Sequence, residues 1–186
     1  MRKIINIIFI VILLSLAAHP AFSMEKFNLH DGKAGFSIPF GSNTDYKNIL
    51  VKRAVDGDTL VLENGERVRL IGIDTPEMHE SNKLYRDSQK THQDIDTIKA
   101  LGRRAYEFTK SLVEGKVVSL ELDAEKYDKY NRMLAYVYLK DGTFVNAKIV
   151  QEGFASLMTI PPNVKYADLF LKLYHQARED RRGLWK

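Results

Sequence analysis

The chain has no cysteine among its 186 residues. Disulfides, a thiolate nucleophile and any cysteine-based metal centre are therefore excluded, and an exported form has to fold on packing alone. Tryptophan occurs once and proline five times, and neither an internal repeat nor a low-complexity tract is present. Beyond residue 23 no apolar run approaches the ~20 residues that a bilayer span needs. A large excess of one charge is also missing, with 28 basic residues against 24 acidic ones and a net charge of +4. A polyanion-coating protein carries far more, so any contact with phosphate has to be a local patch.

What is there begins with a leader. Arg2 and Lys3 precede an almost wholly apolar stretch over 4–18, and Ala21-Phe22-Ser23 offers small residues three apart. This is the pattern of a signal peptide over 1–23, cut between Ser23 and Met24. An uncleaved membrane anchor is the alternative, for which the apolar run is short. Cleavage removes two basic residues and no acidic ones, leaving 26 against 24, a net +2. Roughly 160 residues remain, enough for one core.

Residues 24–46 show no sustained periodicity and read as an irregular lead-in, with a single domain over 47–186. A β-rich block opens that domain. Strands are expected over 48–55, 58–63 and 66–73, with a turn at Asp56-Gly57 and a hairpin at Asn64-Gly65. Residues 78–97 are polar and read as a long loop or weak helix. Ile98, Leu101, Ala105, Phe108 and Leu112 then mark one helix face, closed by Gly115. Two further strands follow over 116–122 and 133–139. A short helix is expected over 145–152 and a last one from Tyr166 to Ala177, stopped at Gly183. The expectation is a mainly β, α+β fold: a five-stranded OB-type barrel with about three packed helices.

A two-residue loop at Asn64-Gly65 would set Glu63 opposite Glu66, Asp58 opposite Ile71 and Asp56 opposite Ile73. Asp56, Asp58, Asp74 and Glu77 then collect at one end of the sheet. Arg69 becomes a diagonal neighbour of Asp58, roughly 7–8 Å away by Cα. Four carboxylates in one place repel each other unless something positive sits among them. With oxygen donors and no histidine or cysteine, calcium or magnesium suits better than zinc. Arginines beside such an ion suit phosphate, whose oxygens match the guanidinium fork. Cation, carboxylate and paired arginines are the working parts of phosphodiester hydrolysis. Singly the motifs are bland. Asp56-Gly57-Asp58 is a turn, Asp74-Thr75-Pro76-Glu77 a helix start capped by Thr75, and Arg69 or Arg132 a surface strand residue. Strand tyrosines such as Tyr127, Tyr136 and Tyr138 read as packing, Trp185 as a staple for the last helix, and His175 as a surface residue.

In order along the chain the motifs read differently. Val55-Asp56-Gly57-Asp58-Thr59, Arg69-Leu70-Ile71-Gly72-Ile73-Asp74-Thr75-Pro76-Glu77 and Asp128-Lys129-Tyr130-Asn131-Arg132-Met133-Leu134-Ala135-Tyr136 together resemble the staphylococcal (micrococcal) nuclease family. Val145-Asn146, Glu152-Gly153-Phe154-Ala155 and Gly183-Leu184-Trp185 extend the likeness over about residues 48–186. The resemblance implies Ca2+ as cofactor, held by Asp58, Asp74 and the carbonyl of Thr75, with Asp56 behind them. It implies Glu77 as the residue that holds or deprotonates the attacking water, and Arg69 and Arg132 on the scissile phosphate. Lys129 and Tyr130 would flank the nucleotide, and the products would carry 3′-phosphates.

Two departures stand out. The tyrosines expected after Ala155 are missing, and Thr159 and Pro161 stand about where they would be. Residues 78–97 exceed the staphylococcal enzyme's segment. Its His79, Asp87, His92, Asp94 and Asp96 read as a solvated loop placed to gate the site, with a second metal site as the alternative. The expected function is an exported calcium-dependent nuclease acting on DNA or RNA, monomeric, and membrane-bound only if the leader is retained. A non-catalytic OB-type module binding oligonucleotides or peptides is the second hypothesis. Missing carboxylates or arginines would favour it, but Asp58, Asp74, Glu77, Arg69 and Arg132 are all present.

Overall fold

A computed structural model describes residues 46–186. The leader over 1–23 and nearly all of the lead-in lie outside the described residues. Tyr46 already belongs to the first strand, β1 (Tyr46–Ala54). β2 (Thr59–Leu62), β3 (Arg67–Leu70), β5 (Val117–Glu121) and β6 (Met133–Leu139) join it in a closed barrel of order β1-β2-β3-β6-β5. All pairs are antiparallel except β3 with β6. Closure removes the exposed sheet edges. The barrel is filled by Val51, Leu60, Leu62, Val68, Leu70, Val118, Leu120 and Val137, all buried.

The hairpin loop between β2 and β3 has three residues, not two. The Asn64 side chain accepts from Glu66 N at 3.0 Å, Gly65 takes φ 87°, and Leu62 N donates to Glu66 O at 2.9 Å. The register therefore slips by one from the sequence expectation. Thr59 stands opposite Arg69, and Leu70 N bonds the carbonyl of Asp58 at 2.9 Å.

The strand expected over 66–73 is broken at Ile71. Gly72 (φ 82°) turns the chain out of the barrel, and a Cβ there would lie 2.4 Å from the ring of Phe170. Asn146, fully buried, clamps the bend. Its amide donates to the carbonyls of Ile71 (2.9 Å) and Ala135 (3.3 Å), and its oxygen accepts from Val137 N (3.0 Å). Beyond the bend, β4 (Gly72–Asp74) pairs with β7 (Ser156–Met158), a short strand that no periodicity announced.

Among the described residues four helices surround the barrel, where about three were expected. The additional one is α1 (Asn82–Thr91), inside the polar 78–97 segment. Ser81 caps it by accepting from Leu84 N at 3.1 Å, and Leu84 is its single buried residue. One anchor gives no periodic stripe, which is why its helicity was faint in the sequence. α2 (Ile95–Val113) begins three residues before its apolar face, because Asp94 caps it through Thr97 N at 2.8 Å. α3 (Val145–Gln151) and α4 (Ala167–Glu179) close the far side. The C-terminal turn over Gly183–Trp185 docks on Gly153 through Leu184 N (2.9 Å), with Trp185 edge-on to Tyr174. None of the described helices is long and apolar enough to cross a membrane.

Asn146→Ala strands two buried backbone partners, Ile71 O and Val137 N. At about 1–3 kcal/mol for each unsatisfied group, urea unfolding should show a loss of about 2–6 kcal/mol. A loss below about 0.5 kcal/mol, the range of ordinary surface changes, would mean that the bend stands without the clamp.

Candidate active site

The candidate residues meet where β1 and β4 end and β2 begins. Past Ala54 the chain bends through 55–58, and Asp58 N donates to Asp56 Oδ1 at 3.0 Å. The bend turns Asp58 inward, so its contact with Arg69 survives the slipped register. Arg69 Nη1 lies 2.7 Å from Asp58 Oδ1, and Nη2 lies 3.1 Å from Asp74 Oδ1. Asp58 Oδ2 accepts from the backbone N (2.8 Å) and the hydroxyl (3.0 Å) of Thr75. A buried carboxylate is tolerable only with such saturation.

Thr75 thus serves Asp58 rather than capping a helix, and residues 75–81 are irregular. Two glycines make that path fit. A Cβ at Gly57 would lie 2.7 Å from the Thr75 side chain, and one at Gly102 on α2 would lie 2.6 Å from the carbonyl oxygen of Glu77. The β4–β7 ribbon holds Asp74 in place, with the Ser156 hydroxyl donating to Asp74 O at 3.1 Å.

Arg132 approaches from the loop before β6. Asp128 organises this loop, its Oδ1 accepting from the backbone N of Tyr130 (2.9 Å) and Arg132 (3.0 Å). Its Oδ2 takes Arg132 Nε and Nη2, each at 2.7 Å. The third nitrogen, Nη1, reaches Thr59 Oγ1 at 3.5 Å, and that hydroxyl donates to Asp58 Oδ1 at 3.2 Å. Thr59 is thus the link between the two arginines. Lys129 and Tyr130 lie outside it, with Lys129 Nζ 5.0 Å and Arg132 Cζ 5.5 Å from the Tyr130 ring centre. Tyr130 is 66% exposed and Tyr127 42%, whereas Tyr136 and Tyr138 are buried. Tyr127 precedes the strand and is half-buried, bridging Met133 of β6.

Glu77 is drawn in by a residue that sequence reasoning missed. Lys83 Nζ lies 3.5 Å from Glu77 Oε1, 3.3 Å from Asp74 Oδ2, 3.2 Å from Asp87 Oδ2 and 3.1 Å from the carbonyl oxygen of Thr75. Burial opposes its charge, but Asp74, Asp87 and Glu77 outweigh burial and hold Lys83 above the ordinary lysine value. Desolvation, then the charge of Asp58, pushes Asp56 up to about 7. Burial likewise raises Asp74.

The donor chemistry fits a hard divalent cation. Asp74, Glu77 and the Thr75 carbonyl already surround a positive group with oxygen, the ligand type that calcium and magnesium take. Among the described residues, no three histidine, aspartate or glutamate side chains converge as a ready-made cage. In the 78–97 segment, Asp87 pairs with Lys83, Asp94 caps α2, and His92 ends α1 at φ 57°.

The profile of the staphylococcal nuclease homologue family matches residues 67–186. The chain belongs to this family. It is 38% identical to a thermonuclease of Staphylococcus intermedius over 150 residues, covering 78% of this chain and 81% of that protein. The thermonuclease of Staphylococcus hyicus is 31% identical, covering 77% and 79% of the two chains. Endonuclease YncB of Bacillus subtilis is 33% identical over 87% of this chain and 72% of its own length. For this member of the staphylococcal nuclease family, the closed five-stranded barrel agrees with the OB-type fold that the resemblance implied.

Gly102 and Lys83 gave no sequence signal, because each acts through a neighbour distant in sequence. Gly102→Ala forces a methyl group against the 76–77 backbone. Overpacking of this kind costs about 1–3 kcal/mol, and thermal unfolding should register it. An unchanged Tm would show that the Glu77 path has slack.

Proposed function

We propose that this chain is an exported, calcium-dependent nuclease that hydrolyses DNA or RNA with little regard for sequence and leaves 3′-phosphates. The observation that carries the reading is the linkage of Arg69 and Arg132 through Asp58 and Thr59, beside an oxygen-lined cation position. The relatives named thermonuclease and endonuclease support it, and the 3′-phosphate outcome and calcium in particular follow the family resemblance.

Asp58, Asp74 and the Thr75 carbonyl are the residues that would hold the metal, with Asp56 behind Asp58. When bound, calcium supplies positive charge against the phosphate and a place for the attacking water. Arg132 and Arg69 grip the scissile phosphate and stabilise the charge that gathers on its oxygens as the nucleophile arrives. Asp128 orients Arg132 through Nε and Nη2, which aims the fork. Glu77 orients the attacking water and accepts its proton. Lys129 and Tyr130 offer a charged and a stacking surface to the adjoining nucleotide. Thr159, exposed in the segment beyond β7 where the family's tyrosines are missing, offers no such surface, so base preference is weak. The leader over 1–23 is cleaved on export, and the enzyme acts as a monomer.

Hydrolysis of single-stranded DNA, duplex DNA and RNA by residues 24–186 should require calcium, stop with chelator, and fall sharply in Glu77→Gln. A folded wild type that binds oligonucleotides but cuts none with any metal would replace this reading with the non-catalytic binding module. Arg132→Ala should lose roughly 10²–10³-fold in turnover, as for other charge-stabilising donors. Asp128 keeps its hydrogen bonds from the backbone N of Tyr130 and Arg132 in this variant, so the fold should survive. Thr159→Tyr should tighten binding of short oligonucleotides, and unchanged affinity would remove that segment from the base site.

A further inference from the structure

Lys83 is supplied by α1, the helix inside the polar 78–97 segment. Its ammonium takes the carbonyl oxygen of Thr75 at 3.1 Å, Asp74 Oδ2 at 3.3 Å and Glu77 Oε1 at 3.5 Å. Thr75 and Asp74 are two of the three ligands assigned above to calcium, and Glu77 is the assigned water-handling residue. An ammonium and a divalent cation seek the same oxygens and repel each other, so both cannot sit there. Asp87, one turn along α1, sits 3.2 Å from the same ammonium and keeps it pointed at the site. Only Leu84 otherwise anchors α1 by burial.

We propose that Lys83 is an internal counter-ion that competes with the activating metal: it neutralises Asp74 and Glu77 and straps α1 over them until calcium displaces it. The inference rests on the calcium reading above and adds its regulation. Calcium binding and the release of α1 are then one exchange. The apparent affinity for calcium is lowered by the fraction of molecules in which Lys83 occupies the ligands. Removing the ammonium raises that affinity, and freeing the strap exposes the α1 amides.

Calorimetric titration of calcium into residues 24–186 tests this, beside Lys83→Gln, Lys83→Arg, Lys99→Gln and Asp74→Asn, with hydrogen exchange read over residues 82–91. Lys83→Gln should bind calcium about tenfold more tightly, the scale of a pairing worth ~1.4 kcal/mol. Lys83→Arg, which keeps the charge, should stay near wild type. Lys99 pairs with Glu80 away from these ligands, so Lys99→Gln controls for the general loss of one positive charge and should change affinity by less than about twofold, a surface-charge effect. Calcium should speed exchange over 82–91 in the wild type, while in Lys83→Gln exchange should be fast from the start. A Lys83→Gln protein that folds only when calcium is added would support the counter-ion directly. Equal affinities for wild type and Lys83→Gln, with binding lost in Asp74→Asn, would overturn the role of Lys83 and leave the calcium site standing. No calcium binding by any form would overturn both.

Discussion

The site depends on one guanidinium shared between two carboxylates. Arg69 meets Asp58 through Nη1 and Asp74 through Nη2, with little exposure to water. Stripping water from these charges is costly, and only dense pairing offsets it. Asp58 achieves that by accepting two hydrogen bonds from Thr75, and so it fixes the backbone that leads to Glu77. The chain end of β1, the start of β2 and the whole of β4 are thereby tied to one side chain on β3. The Gly72 bend and the Asn146 clamp put β4 within its reach.

Carboxylates outnumber cations around this pair, and the imbalance is informative. Asp56, Asp58, Asp74 and Glu77 face Arg69 and Lys83, and the shortfall appears in Asp56, whose carboxyl is pushed to about 7 by burial and by Asp58. Lys83 answers part of the excess from within the chain, and a divalent cation in its place would answer more of it. Arg132 stands apart, committed to Asp128, and adds no net charge there. Its role is directional, because Asp128 holds two of its nitrogens and leaves Nη1 toward Thr59.

Much of the barrel is legible in the sequence. The helix over 98–112, the strand over 133–139 and the cluster at the strand ends follow from periodicity and turn chemistry, which act over a few residues. The hairpin register was misjudged by one residue, because Asn64 bonds Glu66 N and leaves three residues in the loop. The break at Ile71 is hidden inside an alternating pattern, since its causes are Phe170, roughly 100 residues further along, and Asn146, 75 residues further along.

By itself the sequence determined which groups the site contains, because residue identity sets charge, donor type and the order of the motifs. It also determined the family, since three motifs in order specify it. Only the tertiary structure decided how those groups are spent: that Thr75 serves Asp58 instead of a helix cap, that Thr59 joins the two arginines, and that a lysine from the polar 78–97 segment takes oxygens of the proposed metal site. Pairings of this kind depend on distances between segments far apart in the chain. No local pattern encodes them, because the energy that selects them arises only once burial has removed the competing water.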